Sequence, residues 1–135
     1  MKPSHIEHIG IAVPNMEEAI RYWEDVMGLK CYNIEEVVDQ KVKTAFFMIG
    51  EVKIELLEPT SPESTIAKFI ENNGGKGGMH HIAFAVENTD EALKDAEAKG
   101  IKLIDKTSRG GAEGLKIGFL HPKSTFSVLT ELCSK

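Results

Sequence analysis

The sequence predicts an α+β fold: two tandem βαβββ modules forming a cupped, partly open mixed β-sheet barrel with helices packed outside. Three observations predict it: an internal repeat, strict alternation at the start of each copy, and a helical stripe after it. His8-Ile9-Gly10-Ile11-Ala12-Val13, continuing to Ile20, returns at a constant offset as His81-Ile82-Ala83-Phe84-Ala85-Val86, continuing to Leu93. Self-similarity of this kind marks one supersecondary unit used twice. The match continues after one deletion with Gly28-Leu29-Lys30 against Gly100-Ile101-Lys102, and further on Lys53-Ile54-Glu55-Leu56 faces Leu129-Thr130-Glu131-Leu132. The first module therefore spans residues 5–59 and the second 79–133, with a connector helix and glycine-rich hinge at 60–78. A lone module would leave one sheet face bare, so the two are expected to close a single domain, 1–135.

Each module opens with a strand. Alternation places His8, Gly10 and Ala12 on one face and Ile9, Ile11 and Val13 on the other, and it does the same for His81, Ala83 and Ala85 against Ile82, Phe84 and Val86. The histidine thus shares its face with very small side chains, which leaves a cavity, while the large apolar residues point toward a helix. In that helix Ala19, Ile20, Trp23 and Met27 form one stripe, matched by Ala92, Leu93 and Ala96 in the second copy. Gly28 and Gly100 are the expected stops. Ser61-Pro62 reads as the cap and first turn of the connector helix, with Ile66, Phe69 and Ile70 as its stripe, and Asn73–Gly78 as the hinge. Arg109–Gly114 reads as a flexible loop, either a plain hairpin or a lid.

With 16 Lys+Arg against 21 Asp+Glu and a net charge of −5, the chain has no basic stripe, which argues against a nucleic-acid partner. No run approaches the ~20 apolar residues of a membrane helix, and Met-Lys-Pro-Ser lacks the apolar core of a signal peptide, so a cytoplasmic protein without membrane attachment is expected. Cys31 and Cys133 form no CxxC pair and read as small buried or edge residues.

The chemistry lies at the repeat-equivalent positions. Glu55 and Glu131 sit in the apolar runs Ile54-Glu55-Leu56-Leu57 and Val128-Leu129-Thr130-Glu131-Leu132, where an ionised carboxylate is costly unless it meets water or a cation. Two imidazoles, His8 and His81, and two carboxylates, Glu55 and Glu131, make a mixed N/O site for one divalent ion. Co, Mn, Ni, Fe and Zn all suit such ligands, and an octahedral ion would keep two positions for water or substrate. A single His–Glu pair would more often be a core histidine and a solvated glutamate; its recurrence in both copies favours the metal. His80 points to the opposite side of its strand and reads as packing or a surface position rather than ligation. His121, at the turn after Phe119-Leu120, is a candidate substrate contact.

The paired modules and this four-residue set resemble the vicinal oxygen chelate superfamily. Within it, Glu7-His8-Ile9-Gly10-Ile11-Ala12-Val13, Lys53-Ile54-Glu55-Leu56-Leu57-Glu58-Pro59, Gly78-Met79-His80-His81-Ile82-Ala83 and Leu120-His121-Pro122-Lys123 are similar to the methylmalonyl-CoA epimerase family. The doubled histidine and the His-Pro-Lys turn discriminate it from glyoxalases. The resemblance implies interconversion of (R)- and (S)-methylmalonyl-CoA through a metal-stabilised enolate, an acyl-CoA substrate, a homodimer, and Glu131 acting as both ligand and acid/base. It also implies substrate contacts at Gln40, Thr44, His121 and Lys123. Some members carry a second glutamate where this chain has Thr44, so the second acid/base is unassigned. The rival readings are a glyoxalase-type lyase or isomerase, and a non-catalytic ligand-binding protein of the same superfamily.

Overall fold

A computed structural model describes residues 1–135. In chain order the elements are β1 (His5–Ala12), α1 (Met16–Arg21), β2 (Asn33–Val37), β3 (Val42–Ile49), β4 (Val52–Pro59), α2 (Thr65–Asn72), β5 (Gly78–Ala85), α3 (Thr89–Ala98), β6 (Arg109–Gly110), β7 (Lys116–Leu120) and β8 (Thr130–Ser134). This is the α+β order of two βαβββ modules joined by a helix. The chain forms two compact units, Ile9–His80 and Met1–His8 with His81–Lys135, so the first half of β1, ending at His8, belongs with the second module.

In the Ile9–His80 unit the strands hydrogen-bond in the order β2-β3-β4-β1. Ala45, Phe47, Ile54 and Leu56 turn one face toward Met16, Ala19, Ile20 and Trp23. On the other face Ala12, Val42 and Leu57 meet Ile66 and Ile70 of α2. Asn15 caps α1 by accepting from the Glu18 amide at 3.0 Å, and Glu58 Oε2 takes the Met16 amide at 2.7 Å. After Arg21 the helix widens into a π turn, Tyr22–Val26, closed by the Met27 amide on the Tyr22 carbonyl. The extra residue in that turn swings Met27 off the expected stripe, leaving it 48% exposed while Trp23 stays against the core. Gly28, at φ 72°, ends the segment as expected.

Two expectations for the connector are corrected. The cap is Ser64, whose Oγ accepts from the Ala67 amide at 3.0 Å; Ser61 instead opens a preceding turn by accepting the Ser64 amide on its carbonyl. The glycine-rich segment is a pinned turn rather than a hinge. Asn73 Nδ2 donates to the carbonyls of Lys76 and Gly77, and a Cβ at Gly77 would lie 2.1 Å from the Ala12 carbonyl oxygen. Because that obstacle is backbone, Gly77→Ala is expected to cost about 3 kcal/mol, the upper end for overpacking. An unchanged urea midpoint would contradict this close approach.

In the other unit the order is β5-β8-β7-β6, mixed in direction: β5 runs parallel to β8, while β7 is antiparallel to β8 and β6. Leu120 and Leu132 pack against Ala92, Leu93 and Ala96 of α3, with Phe84 and Val86 alongside. Asn88 caps α3 through the Glu91 amide, and Gly100, at φ 89°, follows its end. This module departs from its twin after Gly100. The stretch that follows pairs through one bridge, Leu103 to Leu120, with the Ile104 and Asp105 amides on the Phe119 carbonyl, before β6 takes the edge position. Asp105 accepts the Phe119 amide at 2.9 Å, and Asp90 takes both the amide and the hydroxyl of Ser108, at 2.6 and 2.8 Å. The Arg109–Gly114 segment is a hairpin arm rather than a lid: β6 pairs with β7, and the Gly111 amide closes onto the Leu115 carbonyl. Cys133 is buried and Cys31 packs beside the first core, neither in a disulfide. No helix is long and apolar enough to cross a membrane.

Candidate metal centre

His8, His81 and Glu131 meet in the Met1–His8 and His81–Lys135 unit. Parallel pairing sets Ala83 opposite Glu131, and His81, two residues before Ala83, presents to the same face. The His8 and His81 Nε2 atoms are 3.1 Å apart, with the rings edge to face at 86°. Glu131 reaches between them, Oε1 at 3.3 Å from His81 Nε2 and Oε2 at 3.5 Å from His8 Nε2. All three residues are buried, at 4%, 6% and 3% exposure. The Phe119 ring, opposite Glu131 in the β7–β8 register, packs edge-on against His81 at 5.4 Å between centroids.

The electrostatics fit a cation. Glu7 Oε1 lies 2.5 Å from His8 Nδ1. An ionised carboxylate can only accept, so Nδ1 is the donor of this contact, and Nε2 faces inward. That nitrogen meets a second imidazole nitrogen and a carboxylate, while Glu131 Oε2 is buried without a hydrogen-bond partner. Burial pushes the Glu131 carboxyl upward, but hydrogen bonds to and charge on His8 and His81 outweigh it and hold the group at about 2. Glu131 is thus ionised throughout the neutral range. Two imidazoles and an ionised carboxylate without thiolate form a donor set for a divalent transition ion.

The other expected site residues are placed on their own elements as follows. Glu55 lies in the Ile9–His80 unit, 4% exposed in the middle of β4 and opposite Phe46. Thr44 is buried on β3, and the registers Phe46–Glu55 and Thr44–Leu57 place it on the same face as Glu55. Gln40 is half-buried in the turn before β3. His121 caps the turn after β7, its Nδ1 accepting the Lys123 amide at 3.1 Å, and Lys123 is exposed. His80 packs edge-on against Phe69, as expected of the opposite side of the strand.

Two carboxylates escaped the sequence reading. Glu7 was hidden because alternation assigns it to the face away from His8. Glu35 pairs with Thr44 across β2 and β3, so a half-buried carboxylate shares the Glu55 face beside the threonine. Although Thr44 takes the place where some members carry a glutamate, a carboxylate does stand beside it. Only strand register reveals it, since Glu35 is distant from Thr44 along the chain.

Residues 7–119 match the Glyoxalase/Bleomycin resistance protein/Dioxygenase superfamily, and the chain belongs to it. A Bacillus subtilis protein described as uncharacterized protein YqjC is 42% identical over 96% of this chain and 91% of its own length. Mitochondrial methylmalonyl-CoA epimerase of Dictyostelium discoideum is 37% identical over 96% of this chain and 78% of its own. A solved Streptomyces coelicolor methylmalonyl-CoA epimerase variant, in complex with 2-nitronate-propionyl-CoA, superposes with a TM-score of 0.94 at 33% identity, covering 99% of this chain and 96% of that one. Within the superfamily the chain is a member of the methylmalonyl-CoA epimerases, and it is an enzyme.

Proposed function

We propose that this enzyme interconverts the (R) and (S) forms of methylmalonyl-CoA by moving the proton on the carbon between thioester and carboxylate, with His8, Glu55, His81 and Glu131 holding one divalent ion. The observation that carries the reading is the buried, ionised Glu131 carboxylate, one oxygen of it without a hydrogen-bond partner, facing two imidazole nitrogens in a chain whose relatives are epimerases. A divalent ion at that point supplies Lewis-acid stabilisation of the negative charge that develops on the thioester oxygen. Glu131 accepts the α-proton: it is charged, desolvated and oriented, so little reorganisation is required when the proton transfers. Glu7 keeps the His8 ring in one tautomer, and Phe119 limits water beside His81. His121 and Lys123, with Gln40 and Thr44, are proposed to line the path of the acyl-CoA. The same reading includes a single domain over 1–135, a homodimer and a cytoplasmic location.

The test is NMR of methylmalonyl-CoA in deuterated water with metal-loaded protein. Loss of the α-proton signal, with conversion of one epimer to the mixture, is the expected result. Turnover of a hemithioacetal without α-proton exchange would replace this reading with the glyoxalase-type one, and ligand binding without either would replace it with a non-catalytic binder.

A further inference from the structure

Arg109 stands on the same face of its sheet as Glu131. It pairs with Ile117 across β6 and β7, and Phe119, two residues beyond Ile117, pairs with Glu131 across β7 and β8. Its guanidinium carbon lies 5.6 Å from the centroid of the Phe119 ring, and that ring is the one packed edge-on against His81. Arg109 Nε donates to Asp105 Oδ1 at 3.2 Å, and the other Asp105 oxygen is fixed by the Phe119 amide at 2.9 Å. The group is therefore held from one edge by a tethered carboxylate and from below by an aromatic face. With Nε directed at Asp105, the terminal N–H donors stay available, and a side chain 44% exposed lets a solute reach them.

We propose that Arg109 receives the free carboxylate of the substrate and so selects 2-carboxyacyl thioesters over plain acyl thioesters; this rests on the epimerase reading above. A planar guanidinium matches a carboxylate with two parallel hydrogen bonds, and a fork already oriented loses little freedom on binding. Its place next to the ring that flanks His81 puts this anion site beside the reacting centre rather than in open solvent. The nucleotide phosphates of the thioester carry the same oxyanion chemistry, and the experiment separates the two sources.

Titration calorimetry on metal-loaded protein would compare methylmalonyl-CoA with propionyl-CoA, which keeps every phosphate and lacks the carboxylate. In R109Q the Kd for methylmalonyl-CoA is expected to rise about 10–100-fold, the range for losing charge-assisted hydrogen bonds, while that for propionyl-CoA stays unchanged. R109K should fall between, as a point charge replacing a fork. The double variant D105N/R109Q should show the same loss as R109Q, which excludes repulsion by an unpaired Asp105 as the cause. Equal weakening of both ligands would assign Arg109 to the phosphates and overturn the carboxylate assignment; no weakening of either would overturn the site altogether. Thermal melts report whether each variant is folded. Failure of the epimerase reading shows separately, as absence of α-proton exchange in the wild-type protein.

Discussion

Glu131→Gln is expected to slow α-proton exchange by at least ~10²–10⁴-fold, the range for removing a general base. The substitution keeps the volume and a carbonyl oxygen but removes the charge and the proton acceptor. Glu55→Gln should be milder, because an amide oxygen still ligates and Glu55 has no assigned proton-transfer role. The two glutamates are repeat equivalents, so the asymmetry is the informative part. It is measured by exchange rates on metal-loaded variants with matched metal content. Equal losses would make Glu131 a ligand only. The proton acceptor would then be sought at Glu35, the carboxylate that register brings beside Thr44.

The second large effect concerns the ion. His81→Ala removes one of three buried donors that lie within 3.5 Å of one another. Elemental analysis after dialysis against divalent ions should find a single ion per wild-type chain and almost none in the variant. Exchange activity should fall by ~10²-fold or more, since Lewis-acid stabilisation contributes several kcal/mol and each ~1.4 kcal/mol is tenfold in rate. Glu7→Gln is expected to weaken metal affinity only ~10–100-fold, as befits a residue that orients a ligand without touching the ion. Full metal content in His81→Ala would sink the proposed site. A melt of His81→Ala matching that of chelator-treated wild type would separate loss of the ion from loss of the fold.

The repeat made the modules legible because two copies of one pattern must solve the same packing problem. Alternation assigned His8 and His81 to the small-residue faces of their strands before any pairing was known, and Glu131 stood out as a carboxylate in an apolar run; the three side chains meet. What stayed hidden depends on contacts distant in sequence. In the second module Asp105 reaches the Phe119 amide ahead of β6, and no local propensity encodes that contact. Glu35 was invisible because the register of β2 on β3 is set by the turn between them, where Lys41 takes a left-handed conformation at φ 55°. The π turn after Arg21 is likewise a backbone choice that a 3.6-residue stripe cannot foresee, and Met27 was misplaced for that reason. The Arg109–Phe119–His81 stack joins three segments that no spacing relates.

The parallel pairing of β5 with β8 imposes a length rule on evolution. Strand side chains alternate, so a one-residue slip of β8 would turn Glu131 toward α3 and bring Leu132 to the imidazoles. The loop entering β8 guards against such slips: Phe126 and Ser127 both adopt positive φ, and Thr125 Oγ1 clamps the Val128 carbonyl at 2.6 Å. Insertions or deletions there would alter chemistry before they altered stability. Lineages that diversify this scaffold should therefore change length in segments such as 106–108, which lie outside the strands, and keep the approach to β8 at constant length.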